Sequence, residues 1–222
     1  MEELFRLGLE KLGLDLPGER LADLVRYATS LDKWSRKINL VARNTSRQDL
    51  VEKHFLDSLT LLPLVGADDT PVHLLDVGSG AGFPGLVLAA ADPGLQVTLV
   101  EPRRKRVIFL NHVIRELGLG NVRVLDRRLE ECGFRQDQFT HVTSRAVAAP
   151  EAFLEMVAPL LGAGTRVILM QGGSGLARWQ DLGLEARYRL LGVHDLRLPF
   201  SGDQRQLLVV ENRAVEESAP AG

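Results

Sequence analysis

From residue 72 onward the chain alternates short apolar runs with amphipathic stretches, and this alternation restricts the fold more than any other feature. "VHLLDV" (72–77), "LQVTLVE" (95–101), "NVRVLD" (121–126), "FTHVTSRAV" (139–147) and "GTRVILMQG" (164–172) have strand length and turn residues at their borders. Between them lie "PGLVLAAA", with Pro84 suited to a helix start, and "RRKRVIFLNHVIRELG", closed by Gly118; "PEAFLEMVAPLL" and "LARWQDLGLEA" follow. Strands linked by helical crossovers run parallel in one sheet. "YRLLGVHDLRLP" and "RQLLVVENR", joined by "FSGDQ", read as a closing hairpin. The expected fold is α/β, a doubly wound Rossmann-like sheet with a terminal antiparallel hairpin.

Residues 1–65 read as a helical extension packed on that core, which spans 66–213. Leu21, Leu24, Val25, Ala28 and Leu31 recur at three- and four-residue spacing, and Trp34 and Ile38 continue the stripe. Pro17 and Glu19 suit a helix start, Thr45 or Ser46 suits a cap, and Pro63 limits the apolar helix around it to its first turn. The tail, 214–222, is small and polar, as a frayed end is. A single cysteine, Cys132, excludes an internal disulfide framework and Cys-rich zinc sites. His73, His112, His141 and His194 lack metal-ligand spacing and read as structural. No apolar run approaches the ~18 residues of a membrane span, and Met1-Glu2-Glu3 does not begin a signal peptide, so a cytoplasmic protein is expected.

"LLDVGSGAGFPG" (74–85) places four glycines after a strand that ends in an acid. Gly80, Gly82 and Gly85 match the G-x-G-x-x-G spacing of dinucleotide sites, and Glu101 stands where an acid would hold ribose hydroxyls. Asp76 argues against pyrophosphate, because a carboxylate at the strand's mouth repels it. A cationic ligand fits better. S-adenosylmethionine carries an ammonium, a sulfonium and a ribose, matched by Asp76, directly or through water, by the backbone at Gly78, Gly80 and Gly82, and by Glu101. Leu129 and Glu130 in "RRLEE" occupy the place where an adenine amine is usually met. The plainer alternative for Asp76 is a carboxylate capping the loop's own amides. A nicotinamide oxidoreductase rests on the glycine spacing alone.

"LLDVGSGAGFPGLVLA", "VEPRRKRVIFL" and "VTSRAVA" resemble the bacterial small-subunit ribosomal RNA guanine-N7 methyltransferase family, also called glucose-inhibited division protein B. The likeness covers roughly residues 20–212. It includes "NLVARNTSRQDLVEKHFLDSL", with His54, Asp57 and Ser58 in the family's His-x-x-Asp-Ser spacing, and "LRLPFSGDQRQLLVV", with its arginine at Arg205. The resemblance implies that Gly78 and Phe83 line the methyl donor, that Leu129 and Glu130 meet its adenine side, and that Arg145 sits between donor and substrate. It implies 16S ribosomal RNA or the small subunit as partner, with a guanine of the 530 loop as target; no DNA or membrane partner is expected, and a monomer is the default. Ser35 and Gln171 depart from the family's usual asparagine and lysine.

The residues are consistent with that chemistry. Thr143-Ser144-Arg145-Ala146 cannot form the Asn/Asp-Pro-Pro-aromatic clamp of exocyclic-amine methylation, and Cys132 beside Glu130 and Glu131 is a poor thiolate nucleophile. Guanine N7 needs neither device, only alignment. Arg145, always protonated, is then expected to orient the donor, the base or a phosphate; its alternative is a structural ion pair. The net charge of −2 argues against general polyanion binding, so RNA contacts must be local. Arg43, Lys53, His54, Arg103, Arg104, Lys105, Arg197 and Arg205 are the candidates for a phosphate track, with His54 equally readable as a hydrogen-bonded packing residue. A noncatalytic RNA-binding module on the same fold is the rival from another class.

Overall fold

The computed structural model describes residues 1–42, 44–66, 71–145 and 148–213. Strands β1 (His73–Val77), β2 (Gln96–Val100), β3 (Val122–Leu125), β4 (His141–Ser144), β5 (Arg166–Gly172), β6 (Tyr188–Arg197) and β7 (Gln204–Asn212) form one sheet in the order β3-β2-β1-β4-β5-β7-β6. The first five are parallel, while β7 runs antiparallel between β5 and β6. The chain winds outward from β1 through β3 and then returns to β4, so the order reverses between β1 and β4. The crevice beyond the carboxyl ends of those two strands is where such sheets hold ligands.

The expected strands are all present, slightly shorter than the apolar runs that mark them. Beyond β1, helix α6 (Gly85–Ala91) is buried along its whole length, which explains why "GLVLAAA" lacks a polar face. It lies under the N-terminal helix α2 (Gly18–Ser35), on which α1 (Glu2–Leu12) packs in turn. Phe5, Leu24, Tyr27, Phe55, Leu86 and Leu99 belong to one continuous apolar cluster, so the extension shares the core of the sheet's first face. Val77, Val142, Phe153, Trp179 and Tyr188 build the opposite face. Ser46 caps α3 (Arg47–Leu50) by accepting from the Asp49 amide at 3.0 Å, and Pro63 sits in the first turn of α5 (Leu62–Val65).

Between α3 and α4 (Asp57–Leu59) the backbone adopts a π-helix over Val51–Leu56. A 3.6-residue period does not anticipate that wider turn, a feature often found at functional sites. It buries Glu52, Phe55 and Leu56 and leaves Lys53 exposed. Glu52 Oε1 accepts from the amides of Phe200 (2.5 Å) and Ser201 (2.7 Å), tying the β6–β7 turn to this segment. Among the described residues, no helix is long and apolar enough to cross a membrane.

Candidate active site

A cleft of about 800 Å³ opens at the carboxyl ends of β1 and β2, within the range of small-molecule sites. The backbone from Val77 to Ala81 forms its floor, with Gly78 (φ +69°) and Gly80 (φ +61°) in the left-handed region that favours glycine. Glu101 stands on one wall, only 2% exposed. Its Oε2 accepts from the Gly80 amide at 2.9 Å and its Oε1 from the Arg103 amide at 2.8 Å, with Arg106 Nη1 3.5 Å away. The carboxylate is therefore held in place before any ligand arrives. Phe83, Leu129, Glu130 and Arg145 also line the cleft, together with Arg106 and Arg128 and with Leu40 and Met156, the last two of which local sequence patterns do not single out.

Two expected ligand residues are placed elsewhere. Gly82 (φ +98°) does not line the cleft: it turns toward the protein, where a Cβ would collide with the Tyr27 hydroxyl and lie 2.8 Å from Leu86 Cβ. That hydroxyl donates to the Ala81 carbonyl, so α2 supports the glycine loop from behind. Asp76 is fully buried under the loop and does not line the cleft either. Its Oδ2 accepts from the Gly85 amide at 2.9 Å, the loop-capping alternative, while the buried Oδ1 has no hydrogen-bond partner among the described residues. Of the two contacts expected of Asp76 with a ligand's ammonium, the direct one has no path from this buried position. Gly85 has no room for a Cβ because Asp76 Oδ2 would be 2.8 Å from it.

Burial pushes the Asp76 carboxyl up to about 7 from its ordinary 3.8, against the pull of the Gly85 amide and the Ser79 side chain. Between those values the folded state keeps a proton that the unfolded chain has released, so stability falls as pH rises through the window. Burial pushes His54 the other way, from 6.5 to about 3, and its contribution falls on acidification. The Asp76→Asn variant isolates the first effect. Relative to the native protein, it is expected to gain about 3 kcal/mol of stability between pH 4.5 and 7.5. Urea unfolding at the two pH values measures this, and parallel pH dependences would contradict it.

Arg145 is the hub of the second half of the site. Its Nη1 donates to the Lys53 carbonyl and its Nη2 to His54 Nδ1, both at 2.7 Å; its guanidinium lies 4.7 Å from the Phe83 ring centroid. Nη1 is 3.9 Å from Asp57 Oδ2, and Asp57 Oδ1 accepts from Arg205 Nε at 3.1 Å. The Asp57 carboxyl is raised by burial, with both arginines pulling it back. A second cavity, about 300 Å³, lies at the ends of β4 and β5, and Arg145 lines both cavities.

In this arrangement several residues of the expected phosphate track have partners within the protein. His54 stacks on Phe83 at 5.0 Å with its Nδ1 given to Arg145, and is a neutral packing residue. Arg205 reaches inward to Asp57, Lys53 pairs with Asp49 at 2.8 Å, and Arg197 lies on the hairpin turn, donating to the Gly202 carbonyl. Arg103, Arg104 and Lys105 do come together, in a groove shared with Lys37 and Asn39 at the mouth of the main cleft. Arg43 and the tail from 214 lie outside the described residues.

The sheet order, the glycine loop after β1 and the buried acid after β2 define a class I S-adenosylmethionine-dependent methyltransferase. An S-adenosylmethionine-dependent methyltransferase from Aquifex aeolicus shares this fold, with a TM-score of 0.56 over 84% of this chain and 97% of its own, at 17% identity. The family model described as rRNA small subunit methyltransferase G matches residues 20–209, and the chain belongs to that family. It is 39% identical to the ribosomal RNA small subunit methyltransferase G of Desulfotalea psychrophila, over 91% of this chain and 94% of the relative. With that of Geotalea uraniireducens it shares 38% identity over 96% and 97%. The chain is thus an S-adenosylmethionine-dependent enzyme of ribosomal RNA methylation, and the dinucleotide alternative is set aside.

Proposed function

We propose that the protein methylates N7 of a guanine in small-subunit ribosomal RNA, within the 530 loop, with Gly78, Gly80, Phe83, Glu101, Leu129 and Glu130 holding the donor. S-adenosylmethionine, when bound, supplies a methyl group made electrophilic by its sulfonium. The observation that supports N7 is that the two groups joining the cavities, Arg145 and His54, offer no lone pair to take a proton from the reacting atom. Arg145 is permanently protonated, and His54, titrating near 3, has its Nδ1 lone pair committed to Arg145. An exocyclic amine or a ribose hydroxyl must lose a proton as it is methylated, whereas N7 presents a free lone pair. Alignment then suffices. The groove of Arg103, Arg104, Lys105 and Lys37 supports a local phosphate contact despite the acidic total charge.

The test is transfer of labelled methyl to naked 16S RNA and to small subunits, followed by borohydride and aniline scission, which cleaves at N7-methylguanine. Scission at one guanine of the 530 loop is the expected result. Label on an exocyclic amine, on ribose or at many guanines would overturn the assignment.

A further inference from the structure

We propose that the second cavity is the pocket for the target guanine, and that the Asp57 carboxylate reads it by accepting from N1–H and the 2-amino group. This rests on the reading of the substrate as a guanine methylated at N7. The argument begins with the base. An enzyme acting on a nucleobase takes it out of the stack into a pocket and reads its Watson–Crick edge. Guanine is most often recognised instead by an arginine on O6 and N7. Here that contact would cover the atom that reacts. A reader of guanine that leaves O6 and N7 open must use the far side of the base, where N1–H and the 2-amino group present two adjacent donors. Its partner must accept, and a carboxylate does so at both positions.

The cavity supplies such a group. Asp57 is 5% exposed and lines a space of about 300 Å³, bounded by Ser144 and Arg145 at the end of β4 and by Leu169 to Gly172 along β5. Oδ1 is engaged by Arg205, while Oδ2 stands 3.9 Å from Arg145 with no hydrogen bond to a described residue. A carboxylate offers about four acceptor positions, so capacity remains for two further donors. Arg145 separates this cavity from the donor cleft, so a base held by its far edge at Asp57 can turn N7 toward the methyl group. Arg178, also on the wall, suits a phosphate flanking an extruded nucleotide.

Adenine offers an acceptor at N1, where guanine has a donor, and is repelled by the same oxygen. Inosine keeps N1–H and N7 but lacks the 2-amino group, so it isolates one of the two bonds. The experiment uses an RNA of the methylated region carrying guanine or inosine at the mapped target. Methyl transfer and, with S-adenosylhomocysteine present, binding by fluorescence anisotropy are both measured. The native enzyme is expected to prefer guanine about tenfold in kcat/KM and in affinity, the scale of one hydrogen bond to a charged group. In Asp57→Asn that preference collapses toward unity.

If Asp57 only braces the two arginines, the variant loses activity on both RNAs equally and the preference survives, which overturns the proposal. So does a native enzyme indifferent to inosine, a measurement that needs no variant to fold. Failure to methylate the guanine RNA at N7 would instead bring down the reading of the substrate.

Discussion

Replacing Arg145 with lysine is expected to lower kcat for methyl transfer by about 100-fold or more while leaving S-adenosylhomocysteine affinity within tenfold of native. Arg145 spans the two cavities through a set of contacts that only a guanidinium satisfies together. It donates to the Lys53 carbonyl and to His54 Nδ1, lies over Phe83 and faces Asp57. Lysine keeps the charge, but as a compact ammonium it cannot span these partners in one plane. The half-buried junction would then lose its shape while the glycine loop and Glu101, which hold each other, stay in place. Misplacing reacting groups by ~1 Å costs about 100-fold in rate. Single-turnover transfer combined with calorimetric titration of S-adenosylhomocysteine separates the two effects. A variant with native kcat would reduce Arg145 to an ion-pair member of the sheet end.

Gly82→Ala is expected to lower the melting temperature by roughly 10 °C, corresponding to about 3 kcal/mol, and to weaken donor binding with it. Two costs combine. The backbone sits at φ +98°, which an L side chain rarely adopts, and the added methyl would overlap the Tyr27 hydroxyl and crowd Leu86. Tyr27 is fully buried and its hydroxyl is bonded to Ala81, so it cannot swing away without leaving that carbonyl unpaired. Adding Tyr27→Phe to the variant removes the colliding oxygen and should recover part of the loss, a coupling that a double-mutant cycle measures. A Gly82→Ala protein that melts within 2 °C of native would show that the loop does not need this approach.

These two residues also show where sequence reasoning stopped. Strands and helices of the sheet were legible because their signals are local: an apolar run, a Pro84 or a Gly118, a change of period. The donor cleft was largely legible for the same reason, since Gly78, Gly80, Phe83 and Glu101 lie on two successive strand–loop units. Gly82 was assigned to the ligand because spacing cannot say which way a glycine faces. Tyr27 lay hidden in a helical stripe, where an aromatic reads as core. His54 sits in a π-helix that no 3.6-residue pattern reveals, and Arg205 turns inward to a buried acid, Asp57, 148 residues away. Cationic residues read as solvated until a partner that distant is known.

That separation has a consequence for how the enzyme comes into being. Ribosomes deliver the chain in order, and β1 through β5 with α6 can assemble before residue 188 has left the exit tunnel. β6 then emerges with no partner, because it pairs only with β7, and the free edge of β5 stays open until β7 slots between them. The same late strand brings Arg205 to Asp57, and the turn before it brings the amides that Glu52 collects. Chain order thus puts the glycine-loop half of the sheet ahead of the hairpin half. A chain stalled before β7 would hold the methyl donor's cradle with an exposed sheet edge beside it, a template for aggregation rather than a slow enzyme.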